Sequence, residues 1–383
     1  MSEGREQRLE VKDQRAPLVQ ALGPMGRDND TRSQRPEGTG YRSVEFSVLI
    51  CTYNRPDLLA QCLEALICRT TEKPDEIVVV NGGDERADTV VLRAKSKGQR
   101  SEVGGERSGQ GIEIKLVKTV NKNLAASRNV GLPHCTGDIV AMTDDDAEVF
   151  PDWVTQMKRL HAEHPEAGVV GGMIVGADSD SFISRLADRV TFISYPSARY
   201  VRTLPGVNVS YKRAVVDAIG PQDESLFRGE DVDYNWRAKR LGYEVYYDPS
   251  VRVLHHHRPT LRKFLNQHYM YGRAYYLVRH KWPEMYCVYP HALRRPKDLL
   301  KAMNFFAAPF YEPLQYAVRL ERMTDRLPAY PILFANQLAW RGGMFRQMLL
   351  GVVAGRSARN RRAAKGPTNQ HAAGEGSREG APS

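Results

Sequence analysis

Cysteine is scarce in this chain of 383 residues, and its pattern excludes two kinds of small fold. The five cysteines, Cys51, Cys62, Cys68, Cys135 and Cys287, are odd in number, scattered, and without a CxxC pair. Neither a disulfide framework nor a zinc knuckle is built from such a set. We therefore expect a protein of the reducing cytoplasm.

Long apolar runs are also absent. No run approaches the ~18 to 20 residues that cross a bilayer, and the N-terminal stretch lacks the apolar core of a signal peptide. These absences predict a chain that is neither exported nor membrane-spanning. No internal repeat is found in the sequence.

The chain does contain enough apolar material for a core, since 42% of its residues are hydrophobic. Its 22 prolines, 31 glycines and formal net charge of +10 indicate flexible ends and a preference for anionic partners, whether nucleotide, nucleic acid or acidic membrane surface. The basic residues are dispersed rather than interleaved with aromatic residues along one strip, so we expect no nucleic-acid partner.

Strand and helix patterns alternate in the first half of the chain. Four short β-branched apolar runs are typical of strands buried on both faces: FSVLICTY (46–53), EIVVV (76–80), IEIKLVKT (112–119) and DIVAMT (138–143). The segments between them have helical spacing. The alternation predicts an α/β fold, with a doubly wound, mostly parallel sheet, helices on both faces, and a ligand site at the carboxyl ends of the strands.

Composition also predicts the layout of the chain. We expect disordered tails at 1–42 and 355–383, the second of them basic, because both are polar and non-periodic. Between them we expect an α/β domain over 43–258, with a flexible glycine-rich insertion at 94–111, and a helical extension over 259–354.

Three adjacent carboxylates, Asp144, Asp145 and Asp146, follow the fourth predicted strand and repel one another unless positive charge lies among them. A solvated turn or a helix N-terminus is the alternative interpretation, but the helix that Pro151 would open begins several residues too late. Oxygen ligands on a rigid strand end suit magnesium or manganese, which take one or two protein carboxylates and fill their shell with water and substrate phosphates. The triplet therefore predicts a divalent-cation and diphosphate site.

Polar side chains follow the neighbouring strands and should converge with the triplet on one cleft. They could hold the nucleoside of a metal-bound diphosphate. The residues concerned are Thr52, Tyr53, Asn54 and Arg55 after the first strand, Asn81 after the second, and Arg128 in the helix before the fourth.

Four stretches together resemble the family 2 glycosyltransferases of GT-A fold, of bacterial type: SVLICTYNRPDLLAQCLEAL, EIVVVNGG, NLAASRNVGLPHCTGDIVAMTDDDAEVFPDW and GEDVDYNWRAKRLGYEV. The resemblance covers residues 44–257 and implies metal-dependent, inverting transfer of a sugar from a nucleoside-diphosphate sugar to an acceptor hydroxyl. It implies that Asp144 faces the ribose and that Asp146 binds the metal, with Asp145 assisting either.

The resemblance also implies a catalytic base in the acidic pair Glu230 and Asp231, which opens a predicted helix. Acidic residues in a first helical turn are also favoured by the helix dipole alone. We assign Asp231 as the base, because inverting transfer needs a carboxylate that takes the proton of the attacking hydroxyl. Glu230 is the second candidate and Asp233 the third.

The histidines His255, His256 and His257 follow the last predicted strand. Single histidines are usually structural, but some members of this fold use one after such a strand as a metal or diphosphate ligand. Because alternate strand residues face opposite sides, the three cannot all point one way. We predict that His255 or His257 contacts the metal or the diphosphate.

Two positions depart from the family pattern. Asn81 stands where the resemblance implies an aspartate that recognises the donor base. Its amide can still accept a hydrogen bond from a uracil imide, but without the charge-assisted strength of a carboxylate. Asn123 stands where glycine is usual, and the sequence offers no physical account of it.

The C-terminal third has two interpretations. The stretch TLRKFLNQHYMYGRAYYLVRHKWP resembles the segment after the base in members that act on cell-surface or lipid-linked glycans. Beyond it, an amphipathic segment carries Arg341, Arg346, Arg356, Arg359, Arg361 and Arg362. Such a segment could lie on an anionic membrane, at the inner face of the cell membrane. The alternative is that these helices only pack or form a homodimer.

Two other functions remain open from the sequence. A nucleotidyltransferase also combines this sheet with carboxylate-held magnesium, but its glycine-rich loop after the first strand is missing from CTYNRPD. A catalytically silent nucleotide- or glycan-binding module would tolerate loss of the base or the metal ligand, and both are present.

Overall fold

The computed structural model describes residues 43–99, 111–177, 181–192, 194–257, 260–285 and 295–364. The N-terminal tail predicted for 1–42, and the larger part of both the predicted insertion and the predicted C-terminal tail, lie outside these residues. So does Cys287; the four other cysteines are free thiols.

The first half of the fold follows the predicted alternation. Strands β1, β2 and β4 are buried almost throughout, as their unbroken apolar sequences require. Proline in its first turn begins α1, where no backbone N–H is needed. The elements are β1 (Phe46–Thr52), α1 (Pro56–Glu64), β2 (Glu76–Asn81), α2 (Glu85–Gln99), β3 (Glu113–Lys118), α3 (Leu124–Gly131) and β4 (Ile139–Asp144).

The second half is less regular. Short strands and helices alternate before one long strand ends at the histidines. The elements are β5 (Ala147–Val149), α4 (Trp153–Glu163), β6 (Ala167–Gly176), α5 (Phe182–Thr191), β7 (Arg199–Val201), β8 (Val209–Lys212), α6 (Arg213–Ile219), α7 (Glu230–Arg240) and β9 (Glu244–His255).

All nine strands of the described residues lie in one sheet, in the order β3-β2-β1-β4-β8-β6-β9-β5, with β7 beside β9. Strands β1 to β4 are mutually parallel, which confirms the predicted doubly wound half. Beyond β4 the sheet is mixed, since β8 runs antiparallel to both β4 and β6, and β6 runs parallel to β9. The parallel half carries its ligand side at the carboxyl ends of β1, β2 and β4.

Three helices follow the sheet, as predicted, and we call them the helical cap. They are α8 (Leu261–Lys281), α9 (Pro296–Ala317) and α10 (Met323–Ala364). Helices α8 and α10 cross at backbone contact, because a Cβ on Gly272 would overlap the carbonyl of Trp340 and one on Gly343 would overlap that of Tyr269. Within the described residues, no helix has the length and apolarity of a membrane span.

Two predicted boundaries are wrong. Helix α2 continues to Gln99, so residues 94–99 are helical rather than part of a flexible insertion. Helix α10 continues to Ala364, so residues 355–364 are helical rather than part of a disordered tail. In both cases charged residues that suggested a loop are tolerated on a helix, because straight-chain lysine and arginine have good helix propensity.

Candidate active site

The ends of three parallel strands place the predicted residues side by side. Strand β1 lies between β2 and β4, with Thr52 opposite Asn81 and Cys51 opposite Asp144. The polar residues that follow each strand therefore meet at one edge of the sheet, as the sequence predicted.

An arginine lies between two of the three aspartates. The Arg55 guanidinium forms ion pairs with Asp145 and Asp146. Asp145 is fully buried and also accepts a 2.7 Å hydrogen bond from Thr52 Oγ1. Burial raises the pKa of Asp145 to about 7, although the charge of Arg55 opposes the shift. Arg55, predicted to bind the nucleotide, thus supplies positive charge to the triplet in this structure.

A second arginine, Arg128 on α3, links the triplet to the acidic pair of α7. Its guanidinium lies 3.2 Å from Asp144 Oδ1 and 3.2 Å from Glu230 Oε1, and donates to the Gly206 carbonyl at 3.2 Å. The side chain is buried. Burial alone would lower the pKa of Arg128, but the charges of Asp144 and Glu230 outweigh it and raise the pKa. For the Asp144 carboxyl, by contrast, burial raises the pKa.

The two acidic residues that open α7 have different surroundings. Glu230 is 6% exposed and turned toward Arg128, and burial followed by the charge of Asp231 raises its pKa. Asp231 is half-buried and lines a cavity. Its Oδ2 accepts from the Gly206 amide at 3.0 Å and its Oδ1 from the Val232 amide at 2.8 Å. The carboxylate of Asp231 is therefore fixed in direction yet reachable.

The third candidate base, Asp233, is fully buried and bonded on both oxygens. Arg237 Nε lies 3.1 Å from Oδ2, while Lys281 Nζ and Trp282 Nε1 lie 2.7 and 2.8 Å from Oδ1. These contacts tie α7 to the end of α8 and leave no oxygen for a substrate.

The three histidines point in alternate directions, as predicted. His256 Nε2 lies 2.8 Å from Glu148 Oε1 rather than near a carboxylate of the triplet. His255 Nε2 lies 3.5 Å from Asp146 Oδ1, because Ala147 pairs with His255 across β5 and β9. His257 Nε2 lies 3.6 Å from Asp188 Oδ1, and its ring centroid is 4.9 Å from that of His255.

The pair Asp146 and His255 fits a divalent cation. Their facing atoms are 3.5 Å apart, which is long for a hydrogen bond and within about 0.5 Å of the ~3.0 Å between neighbouring octahedral ligands that each lie about 2.1 Å from one ion. Burial lowers the pKa of His255 to about 4, so its ring is neutral, as a ligand must be. In the described residues, no group of three or more His, Cys, Asp and Glu side chains could hold a metal by itself.

The predicted nucleotide residues after β1 and β2 form a tight pair of loops. Asn54 adopts a left-handed backbone with φ of 54°, and its Oδ1 accepts from the Asp84 amide at 3.0 Å. Asn81 is fully buried, and its amide bonds to Gly83, Asp84 and Asp88. Tyr53 is half-exposed beside them. The Asn81 side-chain amide, which we predicted to contact the donor base, therefore stabilises this loop.

Asn123, unexplained by the sequence, is the N-cap of α3. Its Oδ1 accepts from the Ala126 amide at 2.9 Å, and its Nδ2 donates to the Glu224 carbonyl at 2.8 Å. The first contact satisfies a free amide of the helix end, and the second fixes the loop before α7. Asn followed by a small-residue helix was the signal available in the sequence.

A cavity of about 1050 Å³ opens beside Asp231, between α7, the α5–β8 region and the helical cap. Its walls combine aromatic, aliphatic and cationic side chains. The aromatic members include Tyr195, Tyr247, Tyr271, Tyr275 and Trp340, and the cationic members are Arg199, Arg202, Lys239 and Arg279. These walls were not predicted from the sequence, because they combine residues from distant segments of the chain.

Family comparisons agree with this architecture. A model described as glycosyl transferase family 2 matches residues 47–216. A model described as glycosyl transferase family group 2 matches residues 139–353, which is more than half of the chain. The chain therefore belongs to the family 2 glycosyltransferases.

Individual relatives cover part of the chain. It is 25% identical over 234 residues to the glucosyl-dolichyl phosphate glucuronosyltransferase of Haloferax volcanii, covering 55% of this chain and 66% of that one. It is 30% identical over 171 residues to the pre-mycofactocin glycosyltransferase of Mycobacterium tuberculosis, and the match covers 42% of this chain and 36% of that one. The matches thus span only about a third to two thirds of these relatives.

A solved structure supports the fold. The mannosyltransferase PcManGT from Pyrobaculum calidifontis, solved in complex with GDP-Man and Mn2+, superposes with a TM-score of 0.54 at 18% identity. The superposition covers 80% of this chain and 87% of that one. The predicted GT-A fold with a C-terminal helical extension is confirmed.

Proposed function

We propose that the protein transfers a sugar from a nucleoside-diphosphate sugar to an acceptor hydroxyl, with inversion at the anomeric carbon. The observation that carries this proposal is the position of Asp231, whose carboxylate is held by two backbone amides at the wall of a large cavity. The family membership of the chain supports sugar transfer as the class of reaction.

On the donor side, the triplet would receive the nucleotide. Asp144 would face the ribose, while Asp146 and His255 would hold magnesium or manganese. When bound, the cation would neutralise charge on the departing diphosphate. Arg128 keeps Asp144 and Glu230 in place through bonds to both, so Glu230 acts as a positioning residue in this scheme.

On the acceptor side, Asp231 would take the proton of the attacking hydroxyl. The acceptor oxygen forms a bond to the anomeric carbon while the bond from that carbon to the diphosphate oxygen breaks. Attack comes from the face opposite the leaving nucleoside diphosphate. The amides of Gly206 and Val232 orient the carboxylate for this step.

The cavity indicates the kind of acceptor. Aromatic walls stack on sugar rings or apolar chains, and the surrounding arginine and lysine residues would attract a phosphate. The printed name of the Haloferax volcanii relative includes a dolichyl phosphate. We propose a lipid-linked or cell-surface glycan as acceptor, and a cytoplasmic enzyme that works at the membrane periphery.

Calorimetric titration with nucleoside diphosphates, with and without manganese, tests the donor side. We expect one nucleotide to bind, and more tightly with manganese. A panel of nucleotide sugars, followed by mass spectrometry of the products, then identifies the donor. Formation of a nucleotide sugar with release of pyrophosphate, from a nucleoside triphosphate and a sugar 1-phosphate, would instead indicate a nucleotidyltransferase, and binding of no nucleotide under any condition would refute the proposal.

A further inference from the structure

A second cavity, of about 790 Å³, lies beneath α9 and is bounded also by α8, α10 and the end of α5. We call it the distal cavity. Thr191, Tyr271 and Trp340 line both this cavity and the one beside Asp231, so the two adjoin. Its volume is within the range of small-molecule sites, about 300–1,000 Å³. The distal cavity is therefore large enough for a ligand and borders the proposed acceptor site.

A buried amide on the wall of the distal cavity lacks a hydrogen-bond donor. Asn336 of α10 is 6% exposed, and its Oδ1 accepts no hydrogen bond from any residue that the structure describes. A buried polar atom without a partner destabilises a fold unless water or a ligand bonds to it. An amide oxygen needs a donor, which a sugar hydroxyl supplies. The wall is therefore suited to a ligand that carries hydroxyl groups.

A buried cation lies on the same wall. Arg341 is 9% exposed, and its Nε and Nη1 donate to the Phe305 and Gln337 carbonyls at 3.0 and 3.2 Å. Nη1 also donates to the Gln337 side-chain oxygen. These bonds go to uncharged oxygens and do not use Nη2, so they fix the guanidinium without neutralising its charge. Arg341 is therefore placed to bind an anion.

Two lysines line the more open side of the distal cavity. Lys297 and Lys301 are exposed and lie one helical turn apart on α9. The one carboxylate on the described part of the wall is Glu312, which accepts from Gln337 Nε2 at 2.7 Å. Three cations thus share the cavity with a single carboxylate. This excess of positive charge favours a ligand with an anionic group.

The boundary between the two cavities is aromatic and fixed in position. Tyr271 of α8 accepts a 2.8 Å hydrogen bond from Gln267 Nε2, and the Trp340 ring lies 5.0 Å from that of Tyr275 between centroids. The two helices are in backbone contact at this point, because a Cβ on Gly272 would overlap the Trp340 carbonyl. Aromatic faces held in this way can stack on sugar rings that reach from one cavity to the other.

We propose that the distal cavity binds the remote part of the acceptor, an oligosaccharide segment with an anionic group, while the attacking hydroxyl lies at Asp231. The buried amide would accept from a sugar hydroxyl, the boundary rings would stack on sugar rings, and the three cations would pair with the anion. The acceptor would then contain more than one sugar. Assigning this ligand to the acceptor rests on the proposed function, whereas glycan binding in the cavity does not.

Binding of the full chain to a glycan array, without any nucleotide, tests the proposal. The array carries oligosaccharides of one to four sugars, each in neutral, carboxylated and phosphorylated form. We expect anionic members with more than one sugar to bind about tenfold tighter than their neutral counterparts. The carboxylated and phosphorylated members show which anion is preferred. Binding of no member, or equal binding of neutral and anionic members, would overturn the proposal.

The two lysines are the first positions to change, because both are exposed and their substitution should leave the fold intact. Lys297→Gln with Lys301→Gln should remove most of the preference for anionic glycans, since two of the three cations are lost. The matched control is Arg93→Gln with Lys95→Gln on α2, which should leave that preference unchanged. Equal losses in the two double variants would indicate a general effect of net charge and would overturn the proposal.

Asn336→Leu tests the buried amide. Glycan affinity should fall by about fivefold or more for neutral and anionic members alike, because a hydrogen bond to a sugar hydroxyl is lost. The thermal midpoint without glycan should not fall, since an amide oxygen without a donor is replaced by an apolar group of similar size. A lower midpoint with unchanged glycan affinity would show that Asn336 serves the fold, and would overturn its assignment to the ligand.

Kinetics test whether the bound glycan is the acceptor. With the donor identified, Lys297→Gln with Lys301→Gln should raise the KM for an anionic acceptor about tenfold and change kcat much less. A loss of glycan binding with an unchanged KM would separate the distal cavity from the acceptor and overturn that assignment. Nucleotide titration without glycan is independent of these results, so failure of the distal cavity is distinguishable from failure of the proposed activity.

Discussion

The strand-end cluster and the helical cap are held together by different kinds of interaction. The strand-end cluster, formed by Asp144, Asp145, Asp146, Arg55, Arg128 and Glu230, is joined by ion pairs between side chains that are mostly buried. The cap is joined by close helix contacts and leaves large apolar residues in solvent. The strand-end cluster therefore depends on charge compensation, and the cap depends on close packing between helices.

This difference predicts how each region fails. Removing one partner from the cluster leaves a buried charge without compensation, which costs several kcal/mol. Removing one contact from the cap leaves an apolar surface that can repack at smaller cost. Substitutions in the two regions should therefore differ in the size of their effects and in the property that they change, whether activity or stability.

The largest effect is expected where the two regions meet, at Asp231. Asp231→Asn removes the proton acceptor and should lower the rate of sugar transfer by about 10²- to 10⁴-fold. Glu230→Gln keeps a hydrogen-bond acceptor for Arg128 and should cost less. Release of nucleoside diphosphate from the identified donor measures the rate, and calorimetry should give an unchanged nucleotide affinity. A larger loss in Glu230→Gln than in Asp231→Asn would reverse the assignment of the two residues.

Within the cluster, Arg128→Met should lower the free energy of unfolding by about 3–5 kcal/mol, because Asp144 and Glu230 lose their shared cation. Urea denaturation measures the loss. Adding Glu230→Gln to Arg128→Met should restore part of it. The control Arg93→Met, at an exposed position of α2, should be nearly neutral, and an equal loss there would argue against a special role for the buried arginine.

In the cap, two adjacent glycines offer a matched test. Gly343→Ala places a methyl group against the Tyr269 carbonyl and should lower the free energy of unfolding by about 1–3 kcal/mol. Gly342→Ala meets no atom within 4 Å and should raise it by up to about 1 kcal/mol through helix propensity. Urea denaturation of both variants gives the signs, and two changes of the same sign would contradict the close crossing of α8 and α10.

The smallest effect concerns stability in acid, which should depend on Glu76, a carboxylate of the sheet. Burial alone would raise the pKa of Glu76, but hydrogen bonds from Lys115, Ser47 and the Thr136 amide lower it from 4.5 to about 2. Because the pKa of Glu76 is lower in the folded protein than in the unfolded chain, its ionised carboxylate stabilises the fold at pH values above about 4.5. This stabilisation is lost as pH falls from about 4.5 toward 2.

Glu76→Gln should therefore flatten the dependence of the thermal midpoint on pH over that interval. It should also lower the midpoint at pH 7, since charge-assisted hydrogen bonds are lost. Glu113→Gln removes a 65% exposed neighbour of the same lysine and should change neither. Matching profiles for the two variants would show that Glu76 is not the group responsible.

The cluster was largely predictable from the sequence. Short apolar strands require polar residues at their ends, and parallel pairing brings those ends together, so Thr52, Asn81 and Asp144 lie at one edge of the sheet. Which carboxylate faces which partner was not predictable, because it depends on side-chain burial. Asn81 illustrates the limit, since its amide stabilises a loop by bonding to Gly83 and Asp84.

The cap was predictable only as helices. Periodicity locates helical segments, but it does not tell which apolar face packs inward. Arg341 suggested a basic surface, yet it is buried against Phe305, while the exposed aromatic side chains of Phe306 and Phe310 lie on α9. The contacts of Gly272 and Gly343 that fix the orientation are non-local and leave no periodic signal.

Gly206 lies between the residues that we assign to the donor and to the acceptor of the proposed reaction. Its carbonyl accepts from Arg128 and its amide donates to Asp231, and a Cβ there would lie 2.7 Å from the guanidinium nitrogens. A nucleotide that shifts Arg128 on arrival would also move the Gly206 peptide, and with it the carboxylate that the acceptor meets. We therefore expect an ordered kinetic sequence, in which the donor binds before the acceptor.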